Sequence, residues 1–379
     1  MTVNIHTHSI ESTGATEIYI SAVPLESAPQ EEHAKEIFSG ISDILKSNKA
    51  HIFQERIFAT EDAMEMISNI RSEAYGKLDD GVAPSMLVAK EGLLGSIAGV
   101  QVYAVSCEKK PEVISLNEIG CGRILHLPGE GYLSLSSISD QQGKEITHHA
   151  QAMMEKAESA LLQLGADFLS VPRTWMWLKD ILSWYDEFNE VRNEFFTQRG
   201  LIGAGTRQSM PASTGIGLGP AGGGTCAMDL IAVIEPVDCT KYLQAGGKQQ
   251  SALDYGSAFS RASKTDTPAG QTVFVSGTAS IDADGETTHI GDPAGQINTT
   301  IENVRAVLAD MHCSDEDVVQ VIAYCKTIEV ERVFNSFRDN LPWPWITVIC
   351  DICRDDLLFE IEATAMHKKR ASEHKSEDA

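Results

Sequence analysis

In the C-terminal third of the chain, apolar positions switch between the period of a strand and the period of a helix. Residues 271–281 (QTVFVSGTASI) alternate and end in small side chains, as a half-buried strand does. A Gly-Asp-Pro turn then precedes residues 294–311, in which apolar side chains recur every three to four positions from Ile297 to Leu308. The pattern predicts a strand, a helix, a second strand at 318–326, a second helix at 329–340, and closing strands at 346–353 and 357–366.

The same order of elements recurs twice earlier in the chain, which indicates an internal repeat. The pattern predicts elements at 132–138, 147–164, 167–178, 181–196 and 227–234, and again at 17–22, 33–47, 51–59, 61–75 and 100–105. The second helix carries Asn189-x-x-Arg192 in the middle copy and Asn335-x-x-Arg338 in the last. We therefore predict three tandem units, at 1–110, 120–240 and 250–368, followed by a charged, disordered tail at 369–379.

Helices that alternate with strands predict a mixed α/β (α+β) fold, in which each unit is one mixed sheet backed by two helices. Each sheet would then leave one apolar face uncovered. Packing the three bare faces inward around a pseudo-threefold axis would bury them and make the chain an intrachain pseudo-trimer. The alternative is three unrelated α/β units joined by linkers, and the recurrence of the Asn-x-x-Arg helix argues against it.

Charge and composition argue against several classes of function. The chain has 379 residues, with 30 Lys and Arg against 54 Asp and Glu, for a formal net charge of −24. So acidic a chain is a poor partner for nucleic acid or for an anionic membrane surface. Hydrophobic residues make up 42%, which is enough for packed cores, and no apolar run reaches the length of a membrane span. The first residues, MTVNIHTHSIESTG, lack the features of a secretory signal, so we expect a cytoplasmic protein.

Eight cysteines are spread over the chain, and one pair, Cys350 and Cys353, has the CxxC spacing. A structural zinc site of this type needs a second such pair, which the sequence lacks. The pair also falls in the predicted strand at 346–353, where alternation would place the two thiols on opposite faces. The sequence therefore predicts reduced thiols and neither a metal nor a cofactor.

Three segments of the last unit carry a resemblance to the RidA/YjgF family. They are VFVSGTASID at 273–282, AGQINTTIENVRAVLAD at 294–310 and LLFEIEATA at 357–365. The resemblance, which extends from Tyr255 to His367, implies trimeric packing with ligand sites in the clefts between units. A chain with three copies would form its own trimer, either as a monomer or within a larger homo-oligomer.

Residues 173–362 also resemble the chorismatase family, to which 3-hydroxybenzoate synthases belong. The matching segments are Arg173-Thr-Trp, Trp184 to Asn193 (WYDEFNEVRN), Pro211 to Ile216 (PASTGI), Tyr255 to Ala262 (YGSAFSRA) and Cys353 to Glu362 (CRDDLLFEIE). Together these segments are more specific than the RidA motifs. The resemblance implies a small-molecule substrate, chorismate, whose enol ether is cleaved with release of pyruvate.

The resemblance to RidA implies that Glu360, the first Glu of EIEA, is the catalytic carboxyl. Aligning the closing strands of the three units puts Ala227 and Gly99 at the equivalent positions, so we expect one competent site per chain. Glu360 and Glu362 alternate onto the same strand face, and a neighbouring like charge raises a carboxyl pKa. A carboxylic acid that stays protonated near neutrality can deliver the proton that enol-ether cleavage needs. The alternative is that Glu360 is an ordinary strand residue.

In the chorismatase family, a cysteine at the position of Cys353 goes with formation of 3-hydroxybenzoate, and 4-hydroxybenzoate stays open as a further product. The branch that lacks this cysteine resembles a hydrolase giving 3,4-dihydroxycyclohexa-1,5-diene carboxylate. The implied route has a ring hydroxyl of the substrate displace pyruvate before the ring aromatises, with the thiol moving a proton. The alternative is a buried, inert thiol.

A substrate with two carboxylates needs local cations and hydrogen-bond donors, and guanidinium groups suit carboxylates best. The candidates are Arg173, Arg192, Arg332, Tyr185, Ser213, Thr214 and the loop of Gly256, Ser257 and Ala258. The alternative for Arg192 and Arg332 is a surface helix charge. RidA enzymes carry an arginine at a strand position that is Trp345 in the last unit and Ser213 in the middle one, which argues against an imine deaminase. A RidA-like protein that only binds a small ligand is the non-enzymatic alternative.

Overall fold

A computed structural model describes residues 2–203 and 209–368 of the chain. Within these residues the chain forms three six-stranded sheets and six α-helices. This architecture confirms the mixed α+β class and the three mixed sheets that the sequence predicts. The predicted disordered tail, 369–379, lies outside the described residues.

The N-terminal part of the chain builds the first sheet. Its elements are β1 (Val3–Glu11), β2 (Ala15–Pro24), α1 (Gln30–Ser47), β3 (His51–Ala59), α2 (Met64–Tyr75), β4 (Ser85–Val88) and β5 (Ile97–Cys107). The strands lie in the order β1-β2-β5-β3-β4. Strands β3 and β4 pair in parallel, and the other neighbours pair antiparallel.

The middle of the chain builds a second sheet. Its elements are β6 (Glu112–Leu116), β7 (Ile119–Leu127), β8 (Glu130–Ile138), α3 (Ile146–Gln163), β9 (Arg173–Leu178), α4 (Tyr185–Gln198), β10 (Ala212–Ile216), β11 (Gly219–Pro220) and β12 (Cys226–Glu235). The strand order is β6-β7-β8-β12-β9-β10, and β9 and β10 are again the parallel pair. The short strand β11 crosses over and pairs with β4 of the first sheet.

The C-terminal part of the chain builds a third sheet with the same order of strands. Its elements are β13 (Lys241–Leu243), β14 (Ala262–Thr267), β15 (Gly270–Ala279), α5 (Pro293–Asp310), β16 (Val318–Cys325), α6 (Ile328–Arg338), β17 (Trp345–Ile349) and β18 (Phe359–Lys368). The strands lie in the order β13-β14-β15-β18-β16-β17. Helix α5 begins where predicted, because Asp292 accepts a hydrogen bond from the Gly295 N–H at 3.1 Å and Pro293 occupies its first turn.

The inner faces of the three sheets meet in one central core. Phe58, Trp177 and Tyr324, each from a different sheet, are fully buried in it. The helices cover the opposite face of each sheet over three separate outer cores. The sheets thus bury their bare faces against one another, as the pseudo-threefold arrangement requires.

Buried polar contacts cross each junction between sheets. The Arg56 Nε donates to Asp229 Oδ2 at 3.0 Å between the first and second sheets. The Arg173 Nη2 donates to Glu362 Oε2 at 2.9 Å between the second and third. Gln320 donates to carbonyl oxygens of the first sheet at 3.0 and 3.1 Å. Since an unpaired buried charge is costly, these contacts favour one relative placement of the sheets.

Two expectations about the connections differ from the structure. The stretch 111–119, which the predicted units leave between them, contains β6 and the start of β7, and both strands extend the second sheet. The closing strand predicted at 346–353 ends at Ile349, so Cys350 and Cys353 lie in the connection to β18 rather than on opposite faces of a strand. In the described part of the chain, no helix is both long enough and apolar enough to span a membrane.

Candidate active site

A cavity lies at the junction of the second and third sheets, where the edge strand β10 meets β15. The Ser213 N–H donates to the Ser276 hydroxyl at 2.8 Å and joins the two strands. Six residues predicted from the sequence line the cavity together: Tyr185, Arg192, Ser213, Ser257, Cys353 and Glu360. They come from parts of the chain up to 175 residues apart (360 − 185), and the packing of the two units brings them together.

Glu360 is the buried acid of this cavity. Its side chain is 4% exposed, and among the described residues no hydrogen-bond donor is paired with its carboxyl group. Burial, and then the charge of Glu362, raise its pKa to about 8, while Arg173 opposes the shift. The carboxyl lies against the backbone of β15, where a Cβ on Gly277 would be 2.1 Å from Glu360 Oε1. A side chain at position 277 would therefore displace the Glu360 carboxyl from this place.

Arg173 lies within electrostatic range of the acid but is not among the residues that line the cavity, and its role in substrate binding stays a prediction. It is fully buried and donates to Glu362 Oε2 at 2.9 Å and to Thr214 Oγ1 at 2.7 Å. The Trp175 indole N–H donates to the second Glu362 oxygen at 2.9 Å. Thr214 is engaged as well, because its hydroxyl accepts the Gly277 N–H at 3.1 Å. Both predicted residues therefore support the floor of the site.

Three arginines line the cavity without a carboxylate partner. Arg192, Arg261 and Arg354 form no ion pair with any acid among the described residues, in a chain of net charge −24. Arg192 donates to Asn189 Oδ1 at 2.6 Å, Arg261 to the Gln250 carbonyl at 2.9 Å, and Arg354 to the Gly285 carbonyl at 2.7 Å. Arg192 is buried, not the surface charge considered as its alternative. Unpaired guanidinium groups in a pocket are suited to binding an anion.

Cys353 and Tyr185 flank the acid. Burial, and then the Glu360 charge, raise the pKa of the Cys353 thiol to about 12, so the group is a neutral thiol near pH 7. Burial, and then Cys353, raise the pKa of Tyr185, which keeps its hydroxyl protonated. Burial lowers the pKa of Arg192, and its interaction with Tyr185 opposes that shift. The site thus offers an acid, a thiol and a phenol, all carrying protons.

At the other two junctions between sheets, the equivalent positions hold different residues. Glu360 pairs with Tyr324, Ala227 with Trp177, and Gly99 with Phe58, at the same register in the three sheets. On the parallel edge strand, Ser213 and Gly215 correspond to Trp345 and Thr347. Trp345 is much larger than Ser213, and it packs against Phe334 at a centroid distance of 4.9 Å.

Other predicted residues lie outside the cavity lining. Gly256 and Ala258 flank Ser257 in its loop, but Gly256 is exposed to solvent and Ala258 is buried in an outer core. Arg332 is exposed on α6, as its alternative interpretation held. Sequence reasoning assigned no role to Tyr255, Phe259 and Arg261, which do line the cavity. They belong to the YGSAFSRA segment that carried the family resemblance, and that segment was the available signal.

Comparison with known proteins relates this arrangement to a known architecture. The chain is 30% identical over 222 residues to a protein named chorismatase from Streptomyces rapamycinicus, and the match covers 51% of this chain and 63% of that protein. A crystal structure of a chorismatase superposes with a TM-score of 0.63 at 18% identity, over 94% of this chain and 99% of that one. The chain has the chorismatase fold. The model of the endoribonuclease L-PSP family, which covers RidA/YjgF proteins, matches residues 249–367, the third unit.

Within this chorismatase fold, the geometry of the cavity defines what it can do chemically. A protonated carboxyl on one wall can donate a proton to a bound molecule. The three arginines can hold negative groups of that molecule and strengthen their attraction by keeping them away from bulk water. The arrangement fits general-acid chemistry on an anionic small molecule.

Proposed function

We propose that the protein is a chorismatase that converts chorismate to 3-hydroxybenzoate and pyruvate. The observation that carries the proposal is a buried, protonated Glu360 in a cavity lined by three arginines without acid partners. The sequence relative and the matching crystal structure, both named chorismatase, support the same substrate.

The first step is proton transfer from Glu360 to the methylene carbon of the enolpyruvyl group. Protonation there turns the side chain into an oxocarbenium ion and makes pyruvate a good leaving group. General acid catalysis of this kind contributes about 100- to 10,000-fold to the rate. Arg192, Arg261 and Arg354 bind the two carboxylates of the substrate and hold the enol ether over the acid.

In the second step, the neighbouring ring hydroxyl attacks the carbon that bears the ether oxygen and displaces pyruvate. The three-membered ring that forms then opens, and loss of a ring proton gives 3-hydroxybenzoate. Cys353, a neutral thiol beside Glu360, relays a proton during this opening. Chorismate has the summed atoms of hydroxybenzoate and pyruvate, so no water is consumed. The hydrolytic alternative consumes one water and gives 3,4-dihydroxycyclohexa-1,5-diene carboxylate.

Incubating the purified full chain with chorismate tests the proposal directly. We expect pyruvate, measured by coupling to lactate dehydrogenase, and an equal amount of 3-hydroxybenzoate, measured by chromatography against 3- and 4-hydroxybenzoate and diene diol standards. Absence of pyruvate would leave the RidA-like ligand-binding protein as the better account. An imino acid substrate serves as the control for imine deaminase activity, which the residues at 345 and 213 do not favour.

Replacing Arg192 with Met should weaken substrate binding with little effect on the fold. A hydrogen bond to a charged group contributes about 1.5–3 kcal/mol, so we expect KM for chorismate to rise by roughly 10- to 100-fold. Steady-state kinetics with pyruvate detection measures the effect. Arg332→Met, which removes an exposed arginine outside the cavity, is the matched control and should leave KM unchanged. Equal effects of the two substitutions would contradict the assignment.

Replacing Cys353 with Ala should change the product rather than stop pyruvate release. Without the thiol we expect 3-hydroxybenzoate to fall and the diene diol to take its place, because proton relay is lost while Glu360 still activates the enol ether. Chromatography of the product mixture provides the measurement. Cys350→Ala is the control, since that thiol is buried in the central core three residues away. An unaltered product ratio in Cys353→Ala would make the thiol a packing residue.

A further inference from the structure

A second cluster of reactive side chains lies at the far end of β18. Cys313 Sγ is 3.1 Å from His367 Nε2, and His367 Nδ1 is 3.8 Å from Asp317 Oδ1. One donor atom from each of the three residues lies within 4.8 Å of the other two. His367 follows Glu360 by seven residues on the same strand, which is about 23 Å at the rise of a β-strand. The cluster is therefore separate from the proposed active site.

The local structure holds the three groups close together, with Cys313 beside Nε2 and Asp317 beside Nδ1 of the His367 ring. Cys313 and Asp317 lie on the turn between α5 and β16, and His367 is close to the end of β18. The second carboxylate oxygen of Asp317 accepts the Ser314 N–H at 2.8 Å and the Ser314 hydroxyl at 3.0 Å. Those bonds fix the carboxylate and direct Oδ1 toward His367. Cys313 is 7% exposed, whereas the His367 and Asp317 side chains are 28% and 30% exposed.

We propose that Cys313, Asp317 and His367 bind one zinc ion. Thiolate, imidazole and carboxylate are the ligands of protein zinc sites, and a thiolate disfavours magnesium and calcium. The sulfur and nitrogen ligands of a tetrahedral zinc ion are about 3.6 Å apart, so the thiol and the imidazole need to part by about 0.5 Å. The half-exposed His367 and Asp317 have the freedom to close on the ion and leave it a path of entry.

The surroundings of the cluster add to this inference. Strand β1 of the first sheet contacts β18 of the third sheet. An ion bound by these three residues would therefore lie near the contact between the first and third units. The three residues leave the fourth tetrahedral position to a water molecule. A zinc ion there would fasten β18, the strand that also carries Glu360, to the turn before β16.

The contacts from thiol to imidazole to carboxylate also match the arrangement of a nucleophilic triad. Burial of Cys313 argues against that role, because a thiol at 7% exposure leaves no room for a substrate carbonyl to approach. A metal ion needs far less space than a substrate. The two interpretations differ in whether bound zinc slows the alkylation of Cys313.

Titration of the metal-free full chain with Co²⁺, followed by competition with Zn²⁺, tests the proposal. We expect one equivalent of Co²⁺ to bind with a near-ultraviolet thiolate charge-transfer band, and Zn²⁺ to remove that band. Zinc should also raise the melting temperature and protect Cys313 from iodoacetamide. Absence of the band in the wild-type chain would overturn the proposal, as would fast alkylation of Cys313 that zinc does not slow.

Matched variants tie the signal to this cluster. Cys313→Ser should abolish the charge-transfer band, and His367→Gln should lower the affinity for Co²⁺ or abolish binding. Cys239→Ser, which removes a half-buried thiol elsewhere, should keep the band. Circular dichroism checks that each variant folds. If Cys313→Ser fails to fold, His367→Gln still decides the test. Persistence of the full band in Cys313→Ser would assign the metal to another thiol and refute the site.

Discussion

Glu360→Gln should lower kcat for chorismate by about 100- to 10,000-fold, because the amide keeps the shape of the acid but has no proton of suitable acidity to donate. The substitution leaves the arginines in place, so KM should change far less than kcat. Pyruvate release under saturating chorismate measures the loss. The matched control is Glu331→Gln, which replaces another buried carboxylate of raised pKa, one that accepts the Leu93 N–H at 2.9 Å outside the cavity. If Glu360→Gln kept full turnover, the proton would have to come from elsewhere.

The pH dependence gives an independent check on the same residue. The active form of Glu360 is the protonated one, so kcat/KM should be constant below pH 8 and fall above the pKa of about 8. The residual rate of Glu360→Gln should lack that fall. A profile that rises through pH 8 in the wild-type enzyme would mean that Glu360 acts as a base.

The stability of the same variant separates loss of chemistry from loss of fold. The folded-state pKa of Glu360 lies above its unfolded value, so the folded chain binds the extra proton and its free energy of unfolding falls as pH rises toward 8. Above that pH, the wild-type chain carries a buried charge that Glu360→Gln does not have. We therefore expect the variant to be the more stable of the two at pH 9, by urea denaturation.

Arg173→Leu should lower the free energy of unfolding by about 3–5 kcal/mol, because it leaves the Glu362 carboxylate buried without its cation. That loss is a large part of the 5–15 kcal/mol typical of a folded protein. Both side chains are almost completely shielded from water, at 2% and 6% exposure, and they join the second unit to the third. Urea denaturation measures the change, and loss of activity should accompany it, since the floor beneath Glu360 is disrupted.

Two control variants test whether the stability loss in Arg173→Leu comes from the buried, unpaired Glu362. Arg305→Leu breaks an ion pair with Asp315 that is far more exposed, and it should cost less than about 1 kcal/mol. Arg173→Leu combined with Glu362→Leu should recover much of the lost stability, because replacing a buried pair by apolar groups removes the uncompensated charge. A cost for Arg173→Leu as small as that for Arg305→Leu would show that water or another group satisfies Glu362.

The secondary structure with a clear apolar period was predictable, and the strands without one were not. Helix α5 spans Pro293–Asp310 against a prediction of 294–311, because its apolar face repeats every three to four residues. Strand β14, with the sequence ASKTDT, has too little apolar alternation to signal a strand, yet it pairs along its length with β15. Such strands form because a neighbouring strand supplies their hydrogen bonds, and that neighbour is not visible in the local pattern.

The residues of the candidate site also fall into those that the sequence predicts and those whose surroundings only the structure shows. Glu360, Cys353, Tyr185 and Arg192 converge because the repeat and the family motifs place them on corresponding edges of two units. Arg173 looked like an equally good ligand for a substrate carboxylate. Its partner, Glu362, is 189 residues away, so only the packed sheets reveal that its charge is already paired.

The amino-acid sequence by itself determined the repeated strand and helix order and the mixed sheets, and it pointed to Glu360 as the proposed acid, because periodicity and motif are local properties of the chain. Tertiary structure alone decided which arginines face an open cavity, that Trp345 takes the position corresponding to Ser213, and that a cysteine, an aspartate and a histidine lie close together at the end of β18. Each of those outcomes depends on the distance between residues far apart in sequence. Burial and charge pairing depend on those distances, which are fixed only when the three sheets pack together.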